Sequence, residues 1–327
     1  MPAFPANLYL VAAAGAAVLS AASLPAWRAA CRRFGLVDDP GHRKIHSTPI
    51  PLAGGFAVFT GLAGVLLGGW ILVALGALPP DSIERIAHGL ARRGGQLAAL
   101  LAGATGMLLL GWWDDRTELP ASVKFGGQLL VAWGIAAAGV RVTLFVPNVA
   151  FSHVVTVLWI LAVTNALNFN DNMNGLCAGL GAIAAAGFAV FAARHDQYLV
   201  AAFGFAVLGA LLGFLPFNYP RASVFLGDAG SHLVGYLLAV LAMLPHFYSE
   251  RRGLTDRREV LVPLLVLAVP LADLAQVVVT RTLNRRPFWI GDNNHLSHRL
   301  VRLGLSKPAA VLLLWTVAAS TALVAWR

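Results

Sequence analysis

Residues 152–194 read SHVVTVLWILAVTNALNFNDNMNGLCAGLGAIAAAGFAVFAAR. Two apolar runs, 152–168 and 175–194, flank a short polar stretch that holds Asn168, Asn170, Asp171, Asn172 and Asn174, with Asn165 just before it. Each run approaches the roughly 20 apolar residues that an α-helix needs to cross a hydrocarbon core. Loop-sized polar stretches joining such runs predict antiparallel membrane helices. Five amides and a carboxylate at a membrane boundary also need partners, because unpaired polar groups there are costly. A solvated turn with one Asn as a helix cap accounts for one or two of them and leaves the rest for a polar substrate or an ion.

The same alternation continues in both directions. Apolar runs at about 7–27, 54–78, 95–113, 122–140, 152–168, 175–194, 198–217, 229–247, 259–282 and 307–326 predict an all-α polytopic membrane protein of about ten transmembrane helices. They read as one membrane domain over residues 1–327. Composition agrees, with 58% hydrophobic and 12% charged residues and a mean hydropathy of +0.72, against roughly 25% charged residues in soluble domains. Residues 1–10 carry no Lys or Arg before the first run, which predicts a retained first helix rather than a secretory signal. The two cysteines, Cys31 and Cys177, form no CxxC spacing, so neither a zinc site nor a disulfide framework is indicated. Only Arg141 to Asn148 (RVTLFVPN) reads as a short strand. Small-residue pairs Gly64/Gly68, Gly175/Gly179 and Gly209/Gly213 suit close helix packing in lipid.

The net charge of +9 lies mostly in short loops at helix ends, where anionic headgroups and retention on the cytoplasmic side explain it without nucleic acid. More than half of the 24 Lys and Arg fall in the connections 1–2, 3–4, 5–6, 7–8 and 9–10. Those five connections share one aqueous side by parity, which the positive-inside rule makes cytoplasmic.

Every chemistry-bearing segment falls in one of these five. The first, DDPGHRKIHSTPIPLAGG, sets Arg43, Lys44 and His46 before a Pro-rich turn and the Gly54-Gly55 pair, fit for a phosphate; the same residues also fit a plain positive-inside turn. In the second, GWWDDRTELPASVKFGGQ, Asp114 and Asp115 end the third helix and Lys124 starts the fourth. Paired carboxylates there suit Mg²⁺ or proton removal better than capping. The third is the Asn-rich turn quoted above. In the fourth, PFNYPRASVFLGDAGSH, Asp228 sits in a Gly-bounded turn at a helix N-terminus, where a carboxylate holds Mg²⁺ and free amides bind phosphate, or where it acts as a plain N-cap. In the fifth, RPFWIGDNNHLSHRL, His295 and His298 lie at i, i+3 beside Arg299, as a diphosphate would require. A two-His zinc site is disfavoured by the lack of HExxH. Asp273, inside the 259–282 run, is a further intramembrane acid that is either functional or buried in a pair.

In this order and spacing, the five segments resemble the polyprenyl-phosphate N-acetylhexosamine-1-phosphate transferase family over about residues 38–300. The family includes UDP-GlcNAc:undecaprenyl-phosphate GlcNAc-1-phosphate transferases and phospho-MurNAc-pentapeptide translocases. The resemblance implies ten or eleven helices, a cytoplasmic active site, and Mg²⁺, or Mn²⁺ in its place, as cofactor. It assigns Asp114 and Asp115 to the family's Asp pair, which deprotonates or positions the lipid phosphate, and Lys124 to the phosphate-side lysine. Asn168 and Asp171 match the Asn and first Asp of the third motif, and Asp228 the Mg²⁺ ligand, with Asp171 beside it. Phe225 falls where an aromatic stacks on uracil, and Asn218 where an Asn meets the nucleoside. His295 and His298 fall in the family's histidine motif and with Arg299 are expected to serve the diphosphate, while Arg43, Lys44 and His46 are expected to bind substrate through its phosphate. Two positions depart from the pattern: Asn174 stands where a second Asp is usual, and Ser297 interrupts the histidines. PIPLAGG and HLSH in place of TPTMGG and a triple histidine favour the UDP-GlcNAc branch.

The expected activity is transfer of a sugar-1-phosphate from a UDP-N-acetyl sugar to polyprenyl (undecaprenyl) phosphate, releasing UMP. Its place would be the bacterial inner membrane, as the first membrane step of a cell-envelope glycan. A homodimer is among the assemblies such a bundle allows. A noncatalytic UDP-sugar-binding relative, suggested by Asn174, and an ion-coupled transporter are the alternatives. Transporters place their acids at mid-membrane in related halves, whereas here they collect at one set of helix ends.

Overall fold

The computed structural model describes residues 4–39, 48–77, 80–142, 146, 148–245, 257–285, 287 and 294–326. Within them the chain is all-α apart from a two-residue ladder, β1 (Val37–Asp38) antiparallel to β2 (Ile50–Pro51). The helices are α1 (Ala6–Arg33), α2 (Gly54–Ala74), α3 (Pro80–Thr117), α4 (Ala121–Ala137), α5 (Val149–Phe169) and α6 (Leu176–Arg194). They continue as α7 (Tyr198–Phe214), α8 (Gly227–Leu241), α9 (Val262–Val266), α10 (Ala268–Leu283), α11 (Leu296–Arg302) and α12 (Lys307–Val324).

Nine of the ten apolar runs each overlap one α-helix and the run 259–282 overlaps two, α9 and α10, but not all are membrane-length. Among the described residues seven helices are long and apolar enough to cross a membrane, or eight if α9 and α10, bent by 68°, count as one broken span. The two that fall short are α4, with 17 residues, and α8, with 15. At 1.5 Å per residue α8 is about 22 Å long, less than a hydrocarbon core of about 30 Å. The shortfall has a physical reason: every residue of α8 except Asp228 is buried. Walled by α2, α3, α5, α6 and α7, it meets protein and not lipid, so bilayer thickness does not set its length.

Small residues let the wall close in. A Cβ on Gly111 of α3 would lie 2.2 Å from the Asp228 carbonyl oxygen, and one on Gly103 2.2 Å from the Tyr236 hydroxyl, which donates to the Leu100 carbonyl. On the far side, Cβ atoms on Gly209 and Gly213 of α7 would lie 2.0 and 2.2 Å from the carbonyls of Ala13 and Ala17 in α1. That Gly209/Gly213 pair is therefore a helix-packing stripe. Gly68, by contrast, faces open space, and Gly175 is a turn residue with φ +79°.

Three local differences from the sequence reading have clear causes. Helix α3 starts at Pro80, not near 95, because 80–94 is charged helix beyond the apolar window. The break between α9 and α10 at Leu267 is flanked by Pro263 and Pro270, each lacking an N–H for the ladder. Of the expected strand at 141–148, the described residues 141, 142, 146 and 148 are not in a strand. There the Val142 backbone instead pairs with the Thr156 and Ser152 side chains of α5.

Candidate active site

The N-terminus of α8 is the point on which the motif segments converge. Its first amides have no partner within the helix. Asp115, in the last turn of α3, supplies one: its carboxylate accepts from the Asp228 N–H (2.7 Å) and the Ala229 N–H (3.0 Å). Gly227 makes room with φ +75°, since a Cβ there would stand 2.8 Å from that carboxylate. Both oxygens of Asp115 are thus engaged by backbone.

Asp114 also stands beside Asp228. Buried, it forms an ion pair with Lys124 of α4 and accepts from the Leu119 N–H (2.8 Å), locking the α3–α4 turn. From the end of α5, the Asn168 amide donates to Asp228 Oδ1 (2.6 Å) and to Ser231 Oγ (2.9 Å). Asp228 is therefore held at one oxygen by a neutral donor. The Asp171 carboxylate, half-buried in the turn after α5, has no hydrogen-bond partner among the described residues. Burial pushes its carboxyl well above the usual carboxylate range, and the negative charges of Asp228 and Asp115 push it further.

The remaining segments are tied to this centre by hydrogen bonds. From the first segment, Pro51 accepts from the Phe225 N–H (3.0 Å), and Gly54 and Gly55 donate to the carbonyls of Phe225 (2.9 Å) and Leu226 (3.1 Å). Phe225 is fixed by its backbone on both sides, with its ring half-buried. Asn218 is buried; it accepts from the Gly175 N–H (2.6 Å) and donates to the Val224 carbonyl (2.9 Å), clasping the third segment to the fourth. Asn174 donates to the Pro220 carbonyl (3.3 Å) across the same seam. It does not cap α6, whose N-cap is Gly175, and residues 170–175 form turns, so Asp171 and Asn174 are not one helical turn apart.

The histidine segment docks on the same turn. Ser297 donates to Asn172 Oδ1 (2.7 Å), so the residue that interrupts the histidines is the one that anchors them. His295 pairs through Nδ1 with Asp273 (2.7 Å), and its ring meets the edge of Phe169 with centroids 5.8 Å apart. The His298 ring lies 6.0 Å from that of His295; burial holds its pKa below the usual histidine value, and His295, Lys307 and Arg302 add to the effect. Arg299 follows on α11 as expected, whereas Arg43, Lys44 and His46 lie outside the described residues. Sequence reasoning missed Ser231, Asn172 and Ser297 as links. It also missed Gly111, whose only signal is its position one turn before Asp114 and Asp115.

Among the described residues no three His, Cys, Asp or Glu side chains converge as a ready-made metal cage. Mg²⁺ does not need one, because it is usually held by one or two carboxylates, waters and substrate phosphates. Asp171 and the second oxygen of Asp228 fit that role as hard oxygen donors.

Residues 97–246, which carry the carboxylates, Lys124 and the Asn-rich turn, match the signature of glycosyl transferase family 4. A probable undecaprenyl-phosphate N-acetylglucosaminyl 1-phosphate transferase of Bacillus subtilis is 32% identical over 294 residues, covering 87% of this chain and 75% of that protein. A decaprenyl-phosphate N-acetylglucosaminephosphotransferase of Mycobacterium tuberculosis is 32% identical over 307 residues, covering 86% and 73%. A phospho-N-acetylmuramoyl-pentapeptide-transferase of Levilactobacillus brevis is 33% identical over 224 residues, covering 63% and 64%. With five motif segments joined at one end of an apolar bundle and such likeness along most of its length, the chain belongs to glycosyl transferase family 4.

Proposed function

We propose that this chain is a Mg²⁺-dependent transferase that moves a sugar-1-phosphate, GlcNAc-1-phosphate foremost, from a UDP-sugar to a polyprenyl phosphate in the bacterial inner membrane. The active site faces the cytoplasm. The observation that carries this reading is the junction at α8, where segments distant in sequence place four carboxylates, a lysine and two histidines at the ends of membrane helices. Substrates that are half lipid and half diphosphate need such a boundary site. The names of the Bacillus and Mycobacterium relatives point to the same acceptor and sugar.

In the reaction, an oxygen of the lipid phosphate forms a bond to the β-phosphorus of the UDP-sugar. The bond from that phosphorus to the bridging oxygen breaks, and UMP leaves with the oxygen. A phosphate monoester has a second pKa of about 6, so the acceptor is largely dianionic at neutral pH. The protein's task is thus positioning and charge neutralisation, not proton removal. Lys124, held by Asp114, presents its ammonium to the acceptor phosphate. Asp115 acts through α8: by capping it, the carboxylate sets where Asp228 stands. His298 and Arg299 face the diphosphate, and Phe225 offers its ring to the uracil. Asp171 and Asp228 would hold the Mg²⁺, which lowers the cost of charge on the transferring phosphoryl group. Asn218, engaged at both ends, shapes the nucleotide pocket by clasping its two loops.

The test is an assay of purified protein in detergent with polyprenyl phosphate and a panel of UDP-sugars, scoring UMP with and without Mg²⁺. UMP release that requires lipid, metal and an N-acetylhexosamine donor is expected. UDP-sugar binding without UMP release under any combination would replace the transferase reading with that of a noncatalytic relative, as the uncharged Asn174 first suggested.

A further inference from the structure

The intramembrane acid Asp273 is unexplained by the transfer step itself. It lies on α10, 1% exposed, and spends one oxygen on the Nδ1 of His295 (2.7 Å) and the other on the Leu296 N–H (2.6 Å). The second bond fixes the start of α11 and the first fixes the ring of the residue just before it. A carboxylate accepts only, so the proton between Oδ2 and Nδ1 sits on the ring, and Nε2 is the nitrogen left for another partner. The ring is confined further by Phe169 at 5.8 Å, over which the Arg281 guanidinium stands at 5.2 Å. Phe169 precedes Asp171 by two residues, and α11 is bonded to the same turn through Ser297 and Asn172. The His295 ring is therefore built against the turn that carries the site.

Resting on the transferase reading above, we propose that Asp273 is a positioning residue, and that it orients His295 so that Nε2 contacts a phosphate oxygen of the uridine nucleotide. Asp273 touches no substrate; it acts through the ring. Replacement by Asn leaves one oxygen for two donors and turns an N–H₂ group toward one of them, which releases the ring or exchanges its tautomer.

The experiment compares UDP with uridine, as competitors of UDP-GlcNAc binding to the full-length detergent-solubilised protein. Asp273→Asn should weaken UDP on the order of tenfold, the size of one hydrogen bond to a charged group, while uridine changes by less than about twofold, since it lacks the phosphates. A parallel loss for both ligands, or none for either, would overturn the proposal and leave Asp273 a structural residue. In a His295→Gln background the Asp273→Asn change should add little, because the ring through which it acts is gone; full additivity would also overturn it. Should Asp273→Asn fail to fold, Asp273→Glu and His295→Gln carry the same UDP-against-uridine comparison. Failure of the wild-type protein to bind either ligand is a separate outcome, which would sink the transferase reading and the proposal with it.

Discussion

At the residue scale, adjacent aspartates do different work. Asp115 caps α8 from outside, so Asp115→Asn keeps one acceptor oxygen and sets an N–H₂ against a backbone N–H. The loss of a cap bond predicts a destabilisation of about 1–2 kcal/mol, read as a lower thermal midpoint in detergent. Asp171 is the opposite case. Its folded-state value is raised, so the stability it confers is fullest below the ordinary carboxylate pKa of about 4 and is lost as pH rises through the raised value. Asp171→Asn in divalent-free buffer should therefore melt above wild type at pH 7, converge with it near pH 4, and release no UMP. A variant that melts alongside wild type at both pH values would show that Asp171 carries no such strain. The Asp pair, Asp171 and Asp228 were legible in sequence as acids out of place at a membrane edge. Their division of labour was not, because it depends on which backbone amides α8 leaves free and on which helix ends beside them.

At the element scale, the site depends on how closely α3 approaches α8. A methyl at Gly111 would collide with the Asp228 carbonyl and push the two helices apart just where Asp114, Asp115 and Asp228 meet. Because a shift of about 1 Å at a site costs roughly 10²-fold in rate, Gly111→Ala should lose most turnover. Gly209→Ala or Gly213→Ala crowds the α1–α7 seam instead. Overpacking there should cost about 1–3 kcal/mol of stability, while the protein that remains folded keeps its UDP-sugar affinity. Equal losses of turnover per folded molecule in the two sets would separate activity from the α3–α8 contact. The sequence showed where helices lie, since apolar length is a one-dimensional property. It did not show that α8 is sheathed in protein or that charged residues 80–94 extend α3, because both depend on what each face packs against.

For the whole molecule, the consequence is that all five motif segments share one aqueous side. With Cys31 and Cys177 removed, single cysteines at Arg116 and Arg302 should label from the same side, and one at Asp196 from the other. Labelling of the first two from opposite sides would dissolve the site. Convergence was legible from parity and charge, but the bonds that realise it were not. Asn218 reads from the resemblance as a nucleoside contact, and Asn172 and Ser297 do not announce their partners; only the pairing of these residues across segments distant in sequence shows that they bind the loops into one site.

The bond that breaks gives the most direct test of transferase function. With UDP-GlcNAc labelled at the β-phosphate and undecaprenyl phosphate as acceptor, phosphosugar transfer should carry the label into the lipid phase and leave unlabelled UMP in water. Labelled UDP in the aqueous phase, with unlabelled lipid, would mean that the sugar alone is transferred or hydrolysed, and would contradict the chemistry assigned to this site.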